Sequence, residues 1–513
     1  MPKKMLILAG GFGHPRHILD YHIITEYLNE NNSYKSIDIL VCNSTMNACD
    51  FGNPFLAAEK LPFKYFRKLK TCNFCTNSLV SYIEKTNWNP IFLDKTVSKE
   101  LFGGITLFLN SVTSVEDYSC SEFIKIKYKG IDVGRCAYET YQRSRFVGRV
   151  ENLNLKSDKY LLELLKTACI TVESAFTILN TGKYDSILQN EFSYILWGIF
   201  GRVALILKIK VIQIFFKSHP HFPQIFIREN EIDLSSNPFW EKKLLQLYNQ
   251  KAKQITNDYL IEISEKKEST NITQYYGEQF AKPVDFLELS DEFNFPFVGD
   301  KCNVFIFCHL NWDASLSYGD PIFDFFEDWL DATITFAINK TDVNWCFKLH
   351  PVEAIMKKKG FWHKDFNTKV LLEKKIFSMV NKMPHNIFIL DKNVSTDSII
   401  KVVNVAISSG GSICYQLPQH GIPVINVNRG MHSGFDFTVD INSIAEYVKI
   451  LEIIEDIPRL DEIKINKAKL YEEFYLNETQ YFDTTSLIYN SQNELVNSIN
   501  SKLLKEWVEI NSK

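Results

Sequence analysis

A chain of 513 residues, 45% hydrophobic and 23% charged, has the composition of an ordinary globular protein and is too long for one core, so two or three domains are expected. Its 57 basic residues stand against 61 acidic ones, a formal net charge of -4, which excludes a general polyanion-binding surface and with it nucleic acid as the default partner. Eleven cysteines, an odd number scattered along the chain, exclude a dense disulfide scaffold and point to a reducing, cytoplasmic setting.

The opening MPKKMLILAGGFG carries an apolar segment too short for a signal sequence and reads as a first strand over 4–10. GGFGHPRH follows, with Gly11 and His14, and lacks the spacing of a dinucleotide fingerprint. It reads as an acceptor-side loop or a simple tight turn before a helix near 17–30. Cys72 and Cys75 form a CxxC with no second pair at zinc spacing, so free thiols are expected there. GIDVGRCAYETYQRSR, 130–145, packs Arg135, Glu139, Arg143 and Arg145 around two tyrosines. Glu139 is there a candidate general acid or base, or one member of a salt-bridged helix face. Further strands are expected at 37–43, 186–190 and 210–216, and helices near 158–180, 193–206 and 240–265. The most membrane-like stretch, 194–216, is interrupted by Arg202, Lys208 and Lys210, whereas a span wants ~18 or more uninterrupted apolar residues. A buried helix followed by a buried strand is expected instead.

A fresh series of short apolar runs begins after DEFNFPFVGDK, with strands expected at 303–308, 344–349, 386–390, 403–408 and 423–427, and helices near 321–338, 367–382, 395–401 and 412–420. FIFCHLNWDASLSYGD ends the first of these strands and gathers His309, Asn311, Asp313 and Ser315 in the loop beyond it. Asp313 is a candidate nucleophile or base, or a cap of the next helix. WCFKLHP places Lys348 and His350 two residues apart, hence on one side of a strand that Pro351 terminates. Ammonium and imidazole together suit a phosphate. In VNVAISSGGSICYQLPQHGIPVINV, the residues Ser408, Ser409, Gly410, Gly411 and Ser412 form a strand-to-helix turn whose small residues let backbone N–H groups approach an anion. It is not a Walker A loop, since no Gly-Lys-Ser or Gly-Lys-Thr follows. Leu495, Ile499, Leu503 and Trp507, at steps of four, predict a C-terminal amphipathic helix.

This alternation predicts an α/β fold: two doubly wound Rossmann-type domains facing a cleft, over 1–295 and 296–485, and a helix within 486–513. Ligands of such sheets bind at the carboxyl ends of the strands.

Asp-Ala-Ser after a strand, Lys-x-His-Pro at the next strand end, and a Ser/Gly turn before GIPVI together resemble the GT-B glycosyltransferases of bacterial surface-polysaccharide assembly. The likeness is greatest to capsule and lipopolysaccharide enzymes that use CMP-Kdo, and its specific part covers roughly residues 300–435. GIDVGRCAYETYQRSR also looks like a stretch of capsule proteins, with Glu139 standing where that stretch has Asp, and HLNWDAS differs in its lead-in from the Kdo transferases. The sugar and the stereochemical outcome are therefore left open. The resemblance implies a metal-independent transferase with no cofactor beyond its nucleotide-sugar co-substrate, a CMP-sugar. Its C-terminal domain would hold the donor through Lys348, His350, Pro351 and the Ser408–Ser412 turn. Its N-terminal domain would face a glycan or lipid-linked glycan acceptor with Gly11, His14 and Arg143, while Asp313 and Glu139 carry the chemistry. A cytoplasmic place at the inner face of the membrane would suit a lipid-linked acceptor, and peripheral association is left open. The other readings are a CDP-alditol polyol-phosphate transferase and a non-catalytic GT-B-like binding protein.

Overall fold

The computed structural model describes residues 3–8, 34–42, 76–216 apart from 78, 81–82, 85, 97, 146 and 191, then 223–228 and 248–249, 301–350 apart from 314–315 and 318–320, 368–473 apart from 391–393, 395 and 430–431, and finally 488–489 and 495–496. The chain divides into two compact units. The first is drawn from Met1–Leu234, Trp312–Ser317 and Gln480–Lys513, the second from Ser235–Asn311 and Tyr318–Thr479. The boundary expected at 295 lies outside the described residues.

The first unit runs β1 (Lys4–Leu8), β2 (Ser36–Val41), β3 (Asn89–Phe92), α1 (Lys99–Thr113), α2 (Val133–Arg145), α3 (Lys159–Gly182), β4 (Ser186–Gln189), α4 (Ile195–Ile206), β5 (Lys210–Phe216) and β6 (Pro223–Arg228). The strands lie in the order β3-β2-β1-β4-β5-β6, parallel except where β6 pairs antiparallel to β5. Met5 to Leu8 have no solvent exposure, as a strand covered on both faces requires of a continuous apolar run. α3 starts where Asp158 accepts hydrogen bonds from the backbone N–H groups of Tyr160 and Leu161, both at 3.0 Å. α4, apolar all round, is buried from Ile195 to Leu205. Arg202 within it is also buried and donates to the carbonyls of Gly198 and Phe192 at 2.9 and 3.3 Å.

The second unit runs β7 (Asn303–Phe307), α5 (Phe326–Asn339), β8 (Asn344–Lys348), α6 (Thr368–Met379), β9 (Ile387–Leu390), β10 (Val405–Ser408), α7 (Ile413–Gln416), β11 (Val424–Asn426), β12 (Val439–Asp440), α8 (Ile444–Glu452) and α9 (Glu462–Glu473). Its sheet, β9-β8-β7-β10-β11-β12, is parallel throughout. One face packs Val304, Ile306, Trp345 and Phe347 against Trp329 and Ile334 of α5, and the other packs Phe305, Cys346, Ala406 and Val424 against Cys414 and Leu417. Each unit thus repeats the strand order 3-2-1-4-5-6, whose direction reverses between β1 and β4 and between β7 and β10.

The helix expected over 412–420 is shorter than its pattern suggests: α7 has four residues and passes into a 3-10 turn, Leu417–His420. Pro418 has no N–H to continue the α-helical ladder. In the stretch expected to be a C-terminal helix, Ile488–Tyr489 and Leu495–Val496 instead pair as antiparallel strands, and the rest lies outside the described residues. The helix near 17–30 lies outside them too, as do Cys72 and Cys75. Among the described residues no helix is long and apolar enough to cross a membrane.

Candidate functional site

The carboxyl edge of the second sheet is one transverse row. Lys348 is in register with Phe307, Phe307 with Ser408, Ser408 with Asn426, and Asn426 with Asp440. In-register residues of parallel strands project to one face. Two residues earlier that face carries Phe305, Cys346, Ala406 and Val424, all buried, so an apolar face turns polar in its last row. The row contains two residues missed from the sequence, Asn426 and Asp440. Their only local signal is a polar residue at the end of a short β run. Burial pushes the Asp440 carboxyl above its ordinary range, against hydrogen bonds from the Gly434 N–H and the Thr438 hydroxyl, each 2.7 Å.

Lys348 is 4% exposed, and its ammonium donates to the Leu349 carbonyl at 3.1 Å. It is a fixed charge beneath the edge. His350 is half-buried, its ring 6.1 Å from that of His309. His309 Nδ1 lies 2.8 Å from the Leu310 N–H and 3.3 Å from the Leu310 carbonyl oxygen.

The turn after β10 is built by Ser408, whose buried hydroxyl donates to the Gly410 carbonyl at 2.6 Å. Gly410 and Gly411 follow at φ +91° and +87°, a conformation that side chains disfavour. A Cβ on Gly411 would meet nothing within 4 Å, so the turn presents bare backbone. Ser409 is half-buried, Gly411 and Ser412 exposed. Ser412 donates to Gln416 Oε1 at 3.2 Å and its side chain makes no capping bond to α7. With α7 so short, the helix-dipole contribution expected from 412–420 is that of a single turn. Pro351, Ser315, Gly11 and His14 lie outside the described residues.

A second cluster forms within the first unit. α2 carries Glu139 and Arg143 one turn apart, Tyr194 stands at the entry to α4, and Trp312–Ser317 belongs to this unit although it follows β7. Arg143 Nη1 donates to Tyr194 Oη at 2.8 Å and also to Asp313 Oδ1, which accepts from Tyr194 Oη at 2.7 Å. The Arg143 guanidinium lies 5.0 Å over the Tyr194 ring. Ser317 donates its hydroxyl proton to Glu139 Oε2 at 2.8 Å. Glu139 has no solvent exposure, and its Oε1 has no hydrogen-bond partner. Of the charged residues on this helix, Glu139 holds a hydroxyl and lies in the field of Arg135, Arg143 holds an aspartate, and Arg145 lies 4.8 Å over the ring of Tyr160.

Tyr194 is the residue that sequence reasoning missed here. Its backbone is at φ 62° and ψ 178°, a region left almost entirely to glycine. Such strain costs about 1–3 kcal/mol and persists only where the surroundings enforce it. Here the ring is buried, and the next N–H, of Ile195, is bound by Thr140 Oγ1 of α2 at 3.1 Å. Nothing in EFSYILWG announces this, because it reads as the start of a buried helix. Among the described residues no group of His, Cys, Asp and Glu is arranged to hold a metal ion.

The strand order defines an α/β protein with two Rossmann-type units in one chain. No family model matches the chain, and no curated protein sequence matches it. Among solved structures it is similar to the Thermosulfurimonas dismutans KpsC β-Kdo 2,4 transferase, with 10% identity, 56% of this chain and 79% of that one covered, and a TM-score of 0.31. It is similar also to UDP-GlcNAc 2-epimerase of Neisseria meningitidis bound to UDP-GlcNAc, with 12% identity, 93% and 100% covered, and a TM-score of 0.24. A third is S. aureus MnaA with UDP, with 11% identity, 93% and 97% covered, and a TM-score of 0.26. Likenesses of this size assign neither an activity nor residue roles to this chain.

Proposed function

We propose that the chain is a glycosyltransferase that moves a sugar, of the acidic ulosonic class, from a CMP-linked donor to a surface-glycan acceptor. The observation that carries this reading is the edge of the second sheet, where a buried cation, hydroxyls and an open Gly-Gly turn come together at the reversal of strand order. Lys348, His350 and the backbone of Ser409–Ser412 meet the negative charge that grows on the leaving phosphate as the anomeric C–O bond breaks and the phosphate takes its electron pair. Asp313 attacks the anomeric carbon, and the acceptor hydroxyl then displaces it and gives its proton to Glu139. Ser317 supports that last role, because its hydroxyl already makes the bond to Glu139 that an acceptor hydroxyl would make. Arg143 lies on the acceptor side. A lipid-linked acceptor would bring the protein to the inner face of the cytoplasmic membrane.

Calorimetry with CMP, UDP and GDP tests the donor site. CMP is expected to bind, and His350→Ala to weaken it by ~1.5–3 kcal/mol without loss of fold. Equal binding by variant and parent would remove His350 from the site, and no binding of any of the three would remove the donor assignment altogether.

A further inference from the structure

We propose that Tyr194 is a positioning residue for Asp313, fixing the plane and the charge state of that carboxylate. The catalytic meaning of this rests on the glycosyltransferase reading, but the geometry stands apart from it. Two donors, Tyr194 Oη and Arg143 Nη1, converge on one oxygen, Asp313 Oδ1, and Arg143 Nη1 also donates to Tyr194 Oη, closing a three-membered ring of bonds. A carboxylate gripped through Oδ1 has its plane set, and the clamp does not use Oδ2. Both bonds favour the ionised form, the one able to act as a nucleophile or base.

A phenol is better suited than a second cation for this task. It orients without adding charge, so the carboxylate is not over-neutralised by two guanidinium or ammonium groups. The residue whose hydroxyl meets Asp313 is also the one in the strained conformation described above, between the end of β4 and the first turn of α4. α2 holds the strained residue from both sides, through Arg143 on the ring and Thr140 on the following N–H. A glycine would relax that backbone and could not supply the hydroxyl. The chain keeps tyrosine where its conformation is least at home, and the hydroxyl bonded to Asp313 and Arg143 is what that choice secures.

Tyr194→Phe keeps the ring and removes only the oxygen. The primary measurement is a carbon-13 NMR titration of the Asp313 carboxyl, assigned by its loss in Asp313→Asn. In Tyr194→Phe its midpoint is expected to rise, because a donor to the ionised form is gone; an unmoved midpoint overturns the proposal. In transfer assays the same variant is expected to lower kcat roughly 10–100-fold, to leave KM for the donor nearly unchanged, and to move the acid limb of the pH profile upward. An unaltered limb with normal kcat also overturns it. If the parent transfers no sugar from any nucleotide donor, the transferase reading falls, and the NMR midpoint still decides whether Tyr194 governs Asp313.

Discussion

Glu139 has one hydroxyl donor on Oε2, nothing on Oε1 and no exposure to water. Burying a carboxyl group costs several kcal/mol in general, and here one hydroxyl bond and the charge of Arg135 offset it. Under the proposed transfer reaction this carboxyl is the base. Glu139→Gln is expected to move the melting temperature by no more than a few degrees, since relief of the buried carboxyl and loss of the Arg135 interaction oppose each other, and to lower sugar transfer by ~10²–10⁴, the usual contribution of a general base. Scanning calorimetry and a radiolabelled-donor assay read the two effects separately. A variant that is both destabilised and fully active would return Glu139 to a structural role. At the other cluster, the buried Lys348 ammonium donates to the Leu349 carbonyl, so its part in the proposed donor site is that of a fixed charge.

Among the elements, α2 organises the first cluster, and its position depends on Gly134. A Cβ there would stand 1.9 Å from the Phe123 carbonyl oxygen, so any side chain displaces backbone. Gly134→Ala is expected to destabilise the protein by about 1–3 kcal/mol, as overpacking does, and to misplace Glu139 and Arg143 further along the same helix. Gly411→Ala makes a contrast, since its Cβ would meet no atom within 4 Å and only the positive φ opposes it. Its loss is expected chiefly in nucleotide affinity, where the bare turn matters, with a smaller change in denaturation midpoint. The reverse ranking, Gly411→Ala the less stable of the two, would contradict the packing described for α2.

At the scale of the whole molecule, two sheets of the same strand order bury most of the thiols among the described residues. Cys120, Cys136, Cys169, Cys308, Cys346 and Cys414 are buried. Burial pushes the Cys136 thiol up to about 11, with Arg202 opposing the rise, and the Cys414 thiol up to about 12, with the Ser408 hydroxyl opposing it. The reactive thiolate is therefore scarce at neutral pH and becomes available only as pH approaches those values. A disulfide reagent at pH 7.5, with peptides read by mass spectrometry, should modify these six positions only after denaturant is added. Rapid labelling of Cys136 or Cys414 in the native protein would show that the cores open to solvent on the labelling timescale. Product analysis works at the same scale: phosphate retained in the new linkage would replace glycosyl transfer with polyol-phosphate transfer.

Central strands such as Lys4–Leu8, Lys210–Phe216 and Asn303–Phe307 were legible in the sequence, because strands covered on both faces must be short continuous apolar runs. The edge strands Asn89–Phe92 and Val439–Asp440 were not, being short, with Asn89 and Pro90 exposed and Val439 and Asp440 only partly buried. Glu139, Arg143, Asp313 and the Ser408–Ser412 turn could be picked out by residue type at element ends. Their partners could not. Asp313 meets Arg143 across 170 residues, Ser317 meets Glu139 across 178, and Asn426 and Asp440 join Lys348 only through sheet register. Local pattern determines which segments become strands and helices, because backbone hydrogen bonding and apolar periodicity act over a few residues. Which side chains then touch depends on register and on where loops are laid down, and those are settled by long-range packing that no short stretch of sequence contains.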